Sequence, residues 1–432
     1  MLHKRIQLGL VHVAVAMTLV PINSTLNRIM IRELAISATL VAVLASLPYL
    51  FSPLQVAIGA FSDRYALFGL RRTPYIVAGL LLCVAGVLIS PWAAFQMAEG
   101  GIGGVFFGLL PFLGWGMGYN LASVCYLALA SEISGEEGRS KTVAVMWFMM
   151  IIGIILTAFT LSRLLDPYTP ETLNTAFRWV GVTALFLGLL ALIGLEPRGE
   201  RRSKVEEKPS MREVRSAILS NSQARLFFIY LFLLLVALLG QDILLEPFAA
   251  EAFDWSVSQT TRLTSIWGGF SLLSILFAAF LEKRLSRRGA AQIGNLGALG
   301  GFILILGGGM FGLERVFYLG VILLGAGTGL STVTNLALMF DLTLPGQTGL
   351  FIGAWGFANA LSRLTGSLMG GAVRDLVTNL SGNALIGYSI VFALEAMMLL
   401  MAILVFGKIS VQAFRRQAMQ LSTVERASMS MD

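Results

Sequence analysis

The chain has 432 residues, 56% of them hydrophobic and 13% charged, with a mean hydropathy of +0.79 and a formal net charge of +7 at pH 7. That balance lies far from the soluble globular average and points to a membrane protein. Two cysteines and two histidines supply neither a disulfide framework nor a metal-ligand set, and the basic excess needs no nucleic-acid partner, because loops facing anionic lipid account for it.

Apolar runs of the ~20 residues needed to cross a bilayer recur along the chain. They fall at 6–27, 38–61, 74–95, 103–130, 142–165, 176–195, 226–246, 262–281, 290–312, 316–340, 349–373 and 386–407, which predicts twelve membrane helices. The first run follows Lys4 and Arg5 in the manner of a signal peptide. It is too long for one, and no small-x-small cleavage site follows, so it is read as a helix. After the second run comes Gly59-Ala-Phe-Ser-Asp63-Arg64, with Arg71 and Arg72 close behind. After the eighth comes a second copy, Ala278-Ala-Phe280-Leu-Glu282-Lys283, followed by Arg287 and Arg288. A small residue, an acid–base pair and paired arginines suit a cytoplasmic latch between two helix ends. Its residues are Gly59, Asp63, Arg64, Arg71 and Arg72, with Glu282 and Lys283 as a weaker counterpart.

The repeat continues. At an offset of 211 residues, Val105 and Phe106 fall on Val316 and Phe317, and Gly114, Gly116 and Gly118 fall on Gly325, Gly327 and Gly329. Two pseudo-symmetric six-helix units are therefore expected, a transporter-type plan. They occupy 1–196 and 223–407, joined by a charged linker at 197–222 and followed by a basic tail at 408–432. With the N-terminus inside, 23 lysines and arginines lie on the inner side and six outside, which places both termini in the cytoplasm.

Several signals mislead. Gly114-x-Gly116-x-Gly118 lies inside an apolar span without a preceding strand, so it is helix packing through Gly114 and Gly118 and not a nucleotide loop. No carboxylate cluster has metal-ligand spacing, and nothing suggests an enzyme. Arg363 in the eleventh span and Glu395 in the twelfth both lie some ten residues from the outer boundary, ~15 Å deep. Charges are costly in hydrocarbon, and equal depth on consecutive helices suggests an intramembrane ion pair between them.

The repeated loop resembles the signature of the major facilitator superfamily. More specific are Thr25-Leu-Asn27-Arg28-Ile-Met-Ile-Arg32-Glu33-Leu34, Ser46-Leu-Pro48-Tyr-Leu-Phe51-Ser-Pro53, Arg71-Arg72-Thr-Pro74-Tyr75-Ile76 and Gln241-Asp242-Ile-Leu-Leu-Glu246-Pro247. Together these resemble the PucC/LhaA, or bacteriochlorophyll delivery, family of facilitator-fold proteins. One departure is Glu246-Pro-Phe-Ala249-Ala250-Glu251, where relatives typically read Glu-Pro-Tyr-Gly-Gly-Glu. The resemblance implies a factor for assembling light-harvesting or photosystem complexes in a photosynthetic (intracytoplasmic or thylakoid) or cytoplasmic membrane. It implies chlorophyll or bacteriochlorophyll as cofactor, with carotenoid a further candidate. Its partners would be antenna or photosystem subunits, pigment-synthesis enzymes and membrane lipid. A phytylated pigment is insoluble in water, so handover within the bilayer is physically reasonable.

On that reading His12 is a candidate ligand for the pigment magnesium, with packing as its alternative, and Asn120, Gln241 and Asn335 are candidates through their carbonyl oxygens. Asn27, Arg28, Arg32 and Glu33 would face Asp242 and Glu246 as an outer gate, through Arg28 or Arg32 to Asp242 or Glu246, with Pro247 ending the helix. The competing reading is a facilitator-type transporter of a small, largely apolar solute. The first, fourth, seventh and tenth spans are poor in charge, which weakens a polar-substrate pump and leaves transport of an apolar substrate open. A pigment-free assembly scaffold is the third reading.

Overall fold

The computed structural model describes residues 2–197, 221–342, 348–414 and 416. Apart from a single β-bridge, the described residues form helices and their connections. Ten stretches among them are long and apolar enough to cross a membrane. They give α1 (Leu2–Glu33), α2 (Ala38–Arg64), α3 (Thr73–Ala98), α4 (Gly103–Gly135), α5 (Lys141–Leu164), α6 (Pro170–Leu192) and α7 (Ser222–Ile243). Val257–Met310 follows, leaving helical geometry at Ser286 (φ 67°) and so holding two expected spans, α8 (257–285) and α9 (287–310). Then come α10 (Glu314–Asp341) and α12 (Ala384–Gly407), which complete the ten, with the helix α11 (Thr348–Ser381) between them. The expected linker lies almost entirely outside the described residues, as does most of the tail.

Helix ends are set by local chemistry. Thr169 and Ser256 form capping boxes at the starts of α6 and α8, and Asn383 accepts from the first turn of α12. Each satisfies N–H groups that the helix itself cannot. The turns that reverse the chain need left-handed backbone at Phe68 and Gly69 between α2 and α3, at Gly135 between α4 and α5, and at Ser286. Pro247 does not end a helix. It sits in the first turn of a further short helix, Leu245–Phe253, where its missing N–H has no intrahelical acceptor to lose.

Helices α1–α6 pack among themselves, as do α7–α12, and the two sets meet where α5 adjoins α8 and α2 adjoins α11. Gly118 lets α4 approach α3: a Cβ there would lie 2.6 Å from the Gly79 carbonyl oxygen. Gly114, expected to share that role, has open space beside it, and Gly116, which meets the Leu47–Pro48 backbone of α2, is the second close approach. Helical spacing puts Gly114 and Gly118 near one face, but only the neighbour's crossing point decides which of them it touches.

Candidate functional site: two charge clusters and an ion pair at the seam of the helix sets

At the face carrying the N-terminus, the α2–α3 loop folds back on itself. Arg72, 6% exposed at its side chain, donates to Ser62 Oγ (2.6 Å), Asp63 Oδ1 (2.5 Å) and Glu132 Oε1 (2.7 Å). Glu196, beyond the end of α6, accepts the backbone N–H groups of Arg71 (2.7 Å), Arg72 (3.1 Å) and Thr73 (2.7 Å). Burial alone would raise the Glu196 carboxyl, but these donors at a helix N-terminus outweigh it and hold the group below its ordinary value. Asp63 thus finds a neighbouring helix start, although its partner is Arg72 and not the adjacent Arg64, which lies over the Tyr65 ring. Gly59 is not a close approach, since a Cβ there would make an ordinary 3.6 Å contact with Val124. In the second copy Glu282 meets Arg287 (3.6 Å), Arg287 donates to Asp341 (2.7 Å), and Lys283 is exposed.

The opposite face clamps the two sets together. Asp375 of α11 accepts the N–H groups of Ala38 (3.1 Å) and Thr39 (2.8 Å) at the start of α2. Ser162 of α5 donates to the Ser258 carbonyl of α8 (2.9 Å). Arg28 is bound to Glu33 and donates to the Trp255 carbonyl (2.9 Å), while Arg32 meets Glu251 (3.3 Å) and Asp254 (3.6 Å). Glu246 accepts from Ser24 and Thr264. The first helix therefore meets the short helix Leu245–Phe253 and the turn after it across the sets, and not through the expected pairs of Arg28 or Arg32 with Asp242 or Glu246. The cause is local winding: α1 forms two π-helical segments, Pro21–Leu26 and Ile29–Glu33, which rotate its later side chains. Asn27 turns back to the Asn23 carbonyl (2.7 Å).

Midway along α11, Arg363 is ion-paired with Asp242, at the end of α7. The guanidinium also lies over the Tyr49 ring of α2, 5.2 Å from its centroid, so the pair sits where the sets meet. Gln241 donates to Asp242 (2.9 Å). The side chains of Arg363 and Asp242 remain 27% and 22% exposed. The pair expected between Arg363 and Glu395 does not form. Glu395 is fully buried behind α7 and neither carboxyl oxygen has a hydrogen-bond partner among the described residues. Equal depth fixed only one of two coordinates; the rotation of α11 about its axis turns Arg363 toward α2 and α7.

Among the other candidates, Asn120 accepts from Gln55 (2.8 Å) and donates to the Pro48 and Gly116 carbonyls (2.8 and 2.9 Å). Asn335 accepts from Tyr230 (2.7 Å) and donates to Ser331. Both amides are thus committed to the protein. His12 is different: it is 6% exposed, its Nδ1 is unpartnered among the described residues, and its ring lies 5.1 Å from Tyr126 and 6.0 Å from Trp147. Sequence reading missed Glu132, Glu196 and Asp375, whose only signal was an acid close to a span end.

Two helix sets that meet along α5–α8 and α2–α11, with an ion pair of the second set at that seam, define a membrane protein of the major facilitator fold. Solved structures agree: a mutant of the nucleoside transporter NupG matches with a TM-score of 0.73 at 14% identity, covering 94% of this chain and 99% of that one. A bacterial homologue of the lysosomal transporter Spinster, inward-facing and unoccupied, matches at 0.72 and 13% identity, covering 96% and 97%. Sequence narrows the class. Residues 25–414 match the PUCC protein family, and the chain belongs to it. Protein PucC of Cereibacter sphaeroides is 32% identical over 94% of this chain and 91% of its own length. A Rhodobacter capsulatus protein named "Bacteriochlorophyll synthase 44.5 kDa chain" is 30% identical over 92% of each.

Proposed function

We propose that this protein is a non-enzymatic assembly factor for light-harvesting or photosystem complexes, binding (bacterio)chlorophyll between its helix sets and delivering it to apoproteins. The observation that carries this reading is the mid-depth site at the seam. It offers one ion pair, Arg363–Asp242, beside Tyr49 and Gln241, with no second charge pair at that depth among the described residues. A macrocycle with polar substituents and a hydrocarbon tail matches such a polar anchor in an apolar setting. Family membership and the names of the relatives support the photosynthetic context.

His12 is the residue best suited to hold the pigment magnesium, because its Nδ1 has no hydrogen-bond partner among the described residues and its ring lies against Tyr126 and Trp147. Bound there, the pigment would bring its own light-absorbing chemistry; the protein's part is to bind and orient it. The cluster around Arg72 would act as the cytoplasmic latch and the Arg28–Trp255 region as the outer gate, with both termini in the cytoplasm. The two sets correspond to 1–196 and 223–407 on this reading, with antenna subunits, pigment-synthesis enzymes and lipid as partners and carotenoid as a second pigment. Transport of a small, largely apolar solute is the second reading, supported by the likeness to transporters.

The test is the absorption spectrum of the full chain purified in mild detergent from a pigment-producing host. Copurifying pigment, reduced in His12→Phe and in Arg363→Met, supports delivery. A colourless protein that still copurifies with antenna subunits supports a scaffold, and a colourless protein without partners returns the transporter reading.

A further inference from the structure

Glu395 lies in the middle of α12, 0% exposed, with both carboxyl oxygens unpartnered among the described residues. It occupies a notch at Gly240 of α7: a Cβ built there would stand 2.8 Å from Glu395 Oε1. At the same notch α7 and α11 touch backbone to backbone, since a Cβ on Gly366 would lie 2.7 Å from the Val236 carbonyl oxygen and 2.8 Å from Gly240 Cα. Two glycines therefore remove the side chains that would otherwise separate the carboxyl from the α7–α11 crossing. Gly240 precedes Asp242 by two residues and Gly366 follows Arg363 by three. Along each helix that is a rise of roughly 3–5 Å.

The charged groups on the elements packed against α12 are few. Helix α7 brings Asp242 and, at its far end, Arg225; α11 brings Arg363, with Arg374 and Asp375 further along; the short helix brings Glu246 and Glu251. Helix α9 brings Arg287 and Arg288 at its start, where Arg288 donates to the Phe406 and Gly407 carbonyls at the far end of α12, and no charge from 289 to 310. Arg363 is engaged by Asp242, and Arg374 by Asp375. Among the described residues Glu395 is left with neither a cation nor a hydrogen-bond donor. An ionised carboxylate in that place is far costlier than the neutral acid.

We propose that Glu395 is a proton-binding site inside the membrane-embedded bundle, carrying its proton while Asp242 holds Arg363 and losing it when Arg363 is released toward Glu395. Because α7 and α11 both adjoin the seam, a slide at the Gly240–Gly366 crossing changes which carboxylate the guanidinium meets. Proton uptake is thereby tied to the relative position of α7 and α11 within the second helix set. The inference stands whether or not a pigment is carried.

Infrared difference spectroscopy of the full chain in lipid nanodiscs, titrated from neutral to alkaline pH, tests it. Wild type should show the carbonyl stretch of a protonated carboxylic acid at neutral pH, and Glu395→Gln should remove that band without changing the neutral-pH unfolding temperature. Asp242→Asn should convert the band to carboxylate, as the freed Arg363 takes Glu395 for its counter-ion. The double variant Asp242→Met with Arg363→Met replaces both charges by apolar groups and should keep the acid band to higher pH than wild type. No band assignable to Glu395 overturns the proton site. A band that Asp242→Asn leaves intact overturns the exchange. If that variant does not fold, equal titration of Glu395 in wild type and the double variant overturns the exchange instead.

Discussion

The same loop motif has two outcomes in this molecule. In the first helix set, the Arg72 side chain is 6% exposed and ties together the α2 end, the α3 start and Glu132 near the α4 end. In the second, Arg287 is 48% exposed, bridging Glu282 and Asp341 at the ends of α8 and α10. The geometry is related; the solvation is not. A guanidinium screened by water holds its partners weakly, whereas a buried one cannot be removed without stranding each group that it satisfies. Duplication preserved the pattern of charges, and burial decided which copy acts as a structural joint.

Removing the buried member should have the largest effect. Arg72→Ala leaves Asp63 and Glu132 without their cation, and we expect a loss of about 3–5 kcal/mol, read as thermal unfolding in detergent. A loss no larger than that of Arg287→Ala would erase the distinction between the copies. Next comes the pair between α7 and α11. Asp242→Asn should cost about 2–4 kcal/mol, below a fully buried case because both side chains keep about a quarter of their exposure. The double apolar replacement with Arg363 should recover most of that loss, which unfolding of the single and double variants would show.

Glu196 sharpens the comparison through pH. Its folded-state value is depressed, so the stability it contributes is present above the unfolded glutamate value of ~4.3 and disappears as pH falls through the lower folded value. Glu196→Gln should cost roughly 1–2 kcal/mol at neutral pH, since it is only partly buried, and should flatten the acid limb of the stability profile. An unchanged acid limb would remove Glu196 from the joint. Arg287→Ala should have the smallest effect, at most about 1 kcal/mol at its half-exposed site, and high salt should abolish it.

Composition and run length carried most of the architecture. A bilayer sets the length of each helix, and its hydrocarbon forces nearly every residue of a span to be apolar, so spans, their order and the repeat are written one-dimensionally. The sequence motifs also contain Asp63 and Arg72, and Arg28, Arg32 and Glu246, which lie at contacts between separate helices. What the linear order could not carry was rotation about each helix axis. Arg363 and Glu395 stand at the same depth, yet each residue turns a helix by ~100°, and only packing decides that one faces Asp242 and the other Gly240. Arg28 and Arg32 were redirected to Trp255, Glu251 and Asp254 by π-helical winding that no residue pattern announced. Depth is a property of the chain, set by the solvent it crosses; partnership is a property of the fold, because it depends on neighbours brought in from far along the sequence.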